Sequence, residues 1–122
     1  DAFTFSFDYN QTSSESFESI LEKLVKRIED EIDENGSVSI DLESSASTAP
    51  TSLAGGNFEL SKIRLQSGKL ALFEALESAQ IDMNKISTKS ENALISGPDY
   101  FTDPSTTKSI FADYQYFRVV IN

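Results

Sequence analysis

Two hydrophobic periods alternate along the chain, and their order limits the fold more than any other feature. Residues 3 to 9, Phe3-Thr4-Phe5-Ser6-Phe7-Asp8-Tyr9, carry an aromatic at every second position, the pattern of a strand with one buried face. Thr12 and Glu15 then fit a capping box. Behind it Phe17, Ile20, Leu21, Leu24, Val25, Ile28 and Ile32 recur at three- and four-residue spacing, which predicts an amphipathic helix ending near Asn35-Gly36. Val38, Ile40 and Leu42 alternate with Ser39, Asp41 and Glu43, a second half-buried strand. Ser44 to Gly56 is rich in Ser, Ala and Thr and reads as a long loop, a kind of segment that more often carries function than not. A second helix is expected from about Phe58 to Ala79, with Leu60, Ile63, Leu70, Phe73 and Leu76 on its apolar side and Gly68 marking close packing. Lys85-Ile86-Ser87-Thr88 begins a third strand. Residues 96 to 113, with Gly97-Pro98 and Asp103-Pro104, read as irregular, and Tyr114 to Ile121 closes the chain as a strong strand. The order β-α-β-α-β-β predicts an α/β (α+β) two-layer sandwich, helices on one face of a mixed four-stranded sheet. The first two βα units are expected to be right-handed crossovers, and the last strand to pair by a hairpin-like return.

Composition narrows the chemistry. The 122 residues are 39% hydrophobic and include neither Cys nor His. Thiol nucleophiles, disulfides, zinc sites of the usual kind and Ser–His–Asp catalysis are therefore excluded. Ten Lys and Arg stand against twenty Asp and Glu, a net charge of −10, and the only arginines are Arg27, Arg64 and Arg118. Nucleic acid needs a concentrated basic surface, so it is not an expected partner. No apolar run reaches 18 residues, so no helical membrane span is expected. The chain opens on Asp1 directly into strand pattern, which reads as a mature or excised domain. Twenty carboxylates guarantee close pairs by chance, so Asp41/Glu43 and Asp99/Asp103 are not evidence of a glycosidase dyad. Neither a phosphate-binding glycine loop nor an EF-hand spacing is present. The chain is read as non-enzymatic, with no cofactor and no metal.

The most specific stretch is Asn57-Phe58-Glu59-Leu60-Ser61-Lys62-Ile63-Arg64. This N-x-x-L-S-x-x-R string resembles the signature that opens the second helix of OmpA-like, peptidoglycan-associated domains. Phe5-Ser6-Phe7-Asp8 looks like that family's F-x-F-D first strand, Lys85-Ile86 like the K-I of its third, and Tyr116-Phe117-Arg118-Val119 stands where it has N-R-R-V. The resemblance runs in order along residues 1–122, read as one OmpA-like domain. Three departures stand out. The family's T-D falls on Ser44-Ser45, so no acid stands there; one Arg of N-R-R is Phe117; and the A of R-A is Leu65. The enlarged loop, with Ser45-Ala46-Ser47-x-x-Pro50-Thr51, looks like the variant found in the Bacteroidetes lineage.

In that family the Asp and the helix Arg hold diaminopimelate of the peptidoglycan stem. A planar guanidinium takes a carboxylate with two hydrogen bonds, and an acid accepts the ligand's ammonium. The resemblance implies that Arg64 takes a carboxylate, that Asn57 shapes the loop, and that Ser45, Ala46 and Ser61 line the site. Ser45 brings no negative charge, unless Asp41, Glu43 or Glu59 replaces it from nearby. Without the resemblance, Arg64 reads more readily as a surface cation paired with Glu59 or Asp41, which would contribute little. Two functions follow. The first is a periplasmic module that tethers an outer-membrane protein or lipoprotein to peptidoglycan, meeting the membrane only through the rest of its parent chain. The second is a degenerate OmpA-like domain that has lost diaminopimelate and binds an envelope protein. A basic hollow at Arg64 would favour the first, and an apolar patch near Leu53 or Phe101 the second.

Overall fold

The computed structural model describes residues 1–6, 17–47, 56–95 and 114–122. The capping box at Thr12 and Glu15, the outer aromatics Phe7 and Tyr9, Leu53, and everything expected of residues 96–113 lie outside the described residues.

Strand β1 (Ala2–Ser6) precedes α1 (Phe17–Asn35), β2 (Val38–Ala46), α2 (Gly56–Ser78), a 3-10 turn (Met83–Lys85), β3 (Ile86–Ile95) and β4 (Tyr116–Ile121). Helix α1 stops where the sequence places its end. Gly36 adopts φ +84°, and its N–H donates to the Ile32 carbonyl at 2.7 Å, a left-handed cap that only glycine enters without steric cost. Helix α2 ends in a Schellman arrangement, with Ile81 N donating to Leu76 O at 3.1 Å and Gln80 N to Glu77 O at 2.9 Å. Its left-handed residue is Gln80, at φ 61°. Gln80→Gly is therefore expected to raise stability by about 0.5–1 kcal/mol, read as a higher urea midpoint at unchanged slope.

The sheet order is β1-β4-β2-β3. β2 and β3 run parallel, as a strand–helix–strand unit requires. β4 is antiparallel to both β1 and β2. The expected hairpin-like return is thus corrected: β4 does not fold back beside β3 but inserts between β1 and β2. The most apolar strand thereby takes a central place, where both its edges are hydrogen-bonded and its Phe117, Val119 and Ile121 are buried. Hydrophobic alternation states which face a side chain takes but not which strand lies alongside, so the sequence pattern is silent on this choice.

The core lies between sheet and helices. Phe5 is fully buried, with its ring 4.5 Å from that of Phe17 and 5.7 Å from that of Phe117. Leu24 and Ile28 of α1 and Leu72 and Leu76 of α2 close over it, each such burial contributing about 1.5–3 kcal/mol. The buried face of α2 differs from the expected one. It consists of Leu60, Ser61, Arg64, Leu65, Gly68, Leu72 and Leu76, while Ile63 and Phe73 are half-buried and Leu70 is 61% exposed. Closeness to the sheet, made possible by the small Ser61 and Gly68, selects this face over the one carrying the most apolar residues.

Candidate functional site

The site forms where β2 ends beneath the first turns of α2. Ser44, Ser45 and Ala46 are not loop, as the sequence suggested. They continue β2, paired with Ala93, Leu94 and Ile95 of β3, while Ser44 and Ser45 also pair with Phe117 and Tyr116 of β4. Three polar or small residues extend the ladder because each is buried with a partner. Alternation sends Ser44 to the helix side, behind Ile40 and Leu42. Its Oγ donates to the Ser61 carbonyl at 2.6 Å and lies 3.1 Å from Ser61 Oγ. Ser61 therefore acts as the fastener between α2 and β2.

Asn57, Ser61 and Arg64 fall at i, i+4 and i+7, along one side of α2. Asn57 is half-buried in the first turn. Arg64 is 0% exposed, the bulkiest of the fully buried side chains. Its Nη1 donates to the Ser45 carbonyl at 3.4 Å and to Oε1 of Gln115. Gln115 in turn donates from Nε2 to Ser47 Oγ at 2.7 Å. Ser45, Ala46 and Ser47 are fully buried and Gln115 is 1% exposed. Ser45 Oγ lies 3.5 Å from the Ala46 carbonyl. Arg64, Ser45, Ala46 and Ser47 are thus brought together, with Gln115 as a member that sequence reasoning missed. An amide between Tyr114 and Tyr116, at the mouth of an apolar strand, is the signal that could have marked it, because a buried amide demands partners.

Burial pushes the Arg64 guanidinium down to about 10, which leaves it protonated at neutral pH. Losing water is unfavourable for such a charge, so an anion delivered to it would gain more than at the surface. The surface-pair alternative is corrected: Arg64 is interior. The acids offered as substitutes for the family's Asp are occupied elsewhere. Asp41 accepts from Ser90 Oγ at 2.6 Å, a bond that, with Asn122, holds its carboxyl below the usual carboxylate range. Glu43 accepts from the Tyr116 hydroxyl at 2.7 Å and lies 3.6 Å from Arg118. Glu59 lies 4.0 Å from Lys62. Asp41 and Glu43 occupy the positions of β2 that alternate with Ile40 and Leu42, so they face the side of the sheet away from the helices.

On that side Arg118 lies 4.2 Å over the Tyr116 ring and donates from Nε to Thr4 Oγ1 at 3.1 Å. Desolvation, reinforced by Glu43, raises the Tyr116 hydroxyl above its ordinary value. Phe117 occupies the opposite face beneath Gly68, which accounts for an apolar residue where the related motif carries a cation.

This arrangement, two helices over a mixed sheet ordered β1-β4-β2-β3, is the fold of OmpA-like domains. No protein-family model and no curated protein matches the sequence, but solved structures do. The chain is similar to the OmpA-like domain of FopA1 from Francisella tularensis subsp. tularensis SCHU S4, with a TM-score of 0.53 and 16% identity over 98% of this chain and 71% of that one. A putative MotB-like protein from Desulfovibrio vulgaris gives a TM-score of 0.53 at 14% identity, over 99% of this chain and 73% of the other. The C-terminal domain of Helicobacter pylori MotB gives 0.52 at 15% identity, over the whole of this chain and 84% of its own. At such identities the likeness is one of fold.

Proposed function

We propose that residues 1–122 form one non-catalytic module that binds peptidoglycan in the periplasm and anchors an outer-membrane-associated protein to the cell wall. The observation that supports this reading is Arg64, a buried guanidinium held against the end of β2; by its motif it corresponds to the Arg with which OmpA-like domains hold a stem-peptide carboxylate. In this reading Arg64 takes a carboxylate of diaminopimelate, the backbone of Ser45 and Ala46 borders the ligand, Asn57 shapes the approach, and Ser61 keeps α2 seated on β2. Nothing in the reading calls for a cofactor.

A second reading is favoured by one specific feature. Gln115 Oε1 already accepts from Arg64, and Arg64 is sealed, as expected of a domain that kept the fold and exchanged its ligand for an internal amide. Such a domain would serve an envelope assembly through a protein partner.

Co-sedimentation with purified insoluble peptidoglycan separates the two. The first reading expects wild type to sediment and Arg64→Met to lose at least about tenfold in affinity, the equivalent of one charge-assisted hydrogen bond, with its circular dichroism unchanged. Wild type and Arg64→Met remaining alike in the supernatant would overturn the first and turn the search to a protein partner.

A further inference from the structure

The outer surface of the helix layer carries a groove unrelated to Arg64. Across it Leu21 and Val25 of α1 face Ala75 of α2 and Ala79 just past its end. Both pairs stand at i and i+4, and the two alanines are too small to fill the space opposite, which leaves a hollow of about 520 Å3 with an apolar floor. A second hollow of about 300 Å3 shares Glu29 and Ala79 with the first and carries the groove on past Ile32 to Ile81. Leu21, Val25 and Ile32 are only partly buried, so among the described residues an apolar strip stays open along α1.

The rim is mostly acidic, five carboxylates against two lysines. Glu18, Glu22 and Glu29 line the first hollow, and Asp33 and Asp82 extend the row along the second. The cations there are Lys26 and Lys85. Lys26 is already neutralised, its Nζ standing 2.9 Å from Asp30 and 3.6 Å from Glu29. From Glu18 to Asp33 the groove follows fifteen residue steps of helix, roughly 22 Å at about 1.5 Å each.

We propose that this groove receives a basic amphipathic helix of a partner protein, about four turns long, with one apolar ridge and Lys or Arg on both flanks. A helical ridge fits the space between two helices, its apolar edge covers Leu21 and Val25, and its cations meet the carboxylates on either side. A second copy of this chain does not suit the groove, because it would bring its own net charge of −10 against the same acidic rim. An anionic lipid surface is repelled for the same reason. The proposal stands apart from the peptidoglycan reading and survives its failure.

The test uses a synthetic helical peptide of Leu and Lys, about 18 residues long, its permuted sequence of identical composition without an apolar face, and a version with Glu in place of Lys. Fluorescence anisotropy reads affinity and backbone amide NMR reads location. The amphipathic Lys peptide is expected to bind saturably, at least about tenfold tighter than either control, and to shift the amides around Leu21, Val25, Ala75 and Ala79. Ala79→Trp, which fills the groove from an exposed position, and Glu22→Lys, also exposed, are each expected to weaken it by about tenfold. Equal binding of the permuted peptide, shifts scattered over the surface, or wild-type affinity in both variants overturns the proposal.

Discussion

Gly68→Ala is expected to destabilise the wild-type protein and to stabilise a variant in which Phe117 has been cut back to alanine. A Cβ at residue 68 would stand 2.5 Å from Cγ of Phe117 and 2.6 Å from Cδ1 and Cδ2, against an optimum of about 3.5–4.0 Å between carbons. Those ring atoms lie at the root of the side chain, and the ring is fully buried against Phe5, so it has no free direction in which to swing. Overpacking costs about 1–3 kcal/mol. The helical preference of alanine over glycine returns just under 1 kcal/mol, which leaves a net loss of up to about 2 kcal/mol. Phe117→Ala alone is expected to cost about 3–5 kcal/mol through the cavity it opens. In that background the added methyl of Gly68→Ala meets empty space, and the propensity gain of just under 1 kcal/mol stands alone. Urea unfolding of the four proteins reads this as a change of sign. The same sign in both backgrounds would mean that α2 does not rest on Phe117.

The second large effect concerns Gln115. In the peptidoglycan reading a ligand carboxylate takes the place that Gln115 Oε1 now holds at Arg64 Nη1, so a ligand must first displace it. Gln115→Ala removes that competitor. The lost bond to a charged group corresponds to about 1.5–3 kcal/mol, so affinity for peptidoglycan is expected to rise roughly tenfold to a hundredfold. The folded protein should lose about 1–3 kcal/mol, because Arg64 and Ser47 are each left with a bond unmade. Gain of binding with loss of stability is the distinguishing pair. A variant that loses both would make Gln115 part of the ligand's own binding surface.

Much of the fold was legible because it depends on period. The Phe3/Phe5 stripe, the apolar face of α1 and its glycine stop, and the alternation of β2 each report burial directly. So did Gly68, since a glycine inside a good helix usually has a packing reason. What period does not report is partnership. The place of β4 between β1 and β2 is a matter of which edges meet. Ser44 to Ala46 read as loop because serines carry no hydrophobic signal, yet their burial is made possible by Ser61 and Tyr116, far away in sequence. Leu70 looked like core because it is leucine, but α2 turns the face with Ser61 and Gly68 to the sheet. For the site, Arg64 and Ser45 were visible through a resemblance of motif. Gln115 was not, because a single amide 51 residues from Arg64 acquires meaning only when the strands are in place.

The central claim is that the Arg64 guanidinium receives a carboxylate. The most direct measurement follows the three arginine Nε–H signals by NMR, assigned with Arg27→Lys and Arg118→Lys, while a soluble stem peptide containing diaminopimelate is added. Saturable movement of the Arg64 signal is predicted, with the other two holding still and the Gln115 side-chain amide moving as it is released. An Arg64 signal that stays fixed while peptide reaches about 1 mM, the weakest binding of interest at roughly 4 kcal/mol, would contradict the claim and leave Arg64 as an internal strut.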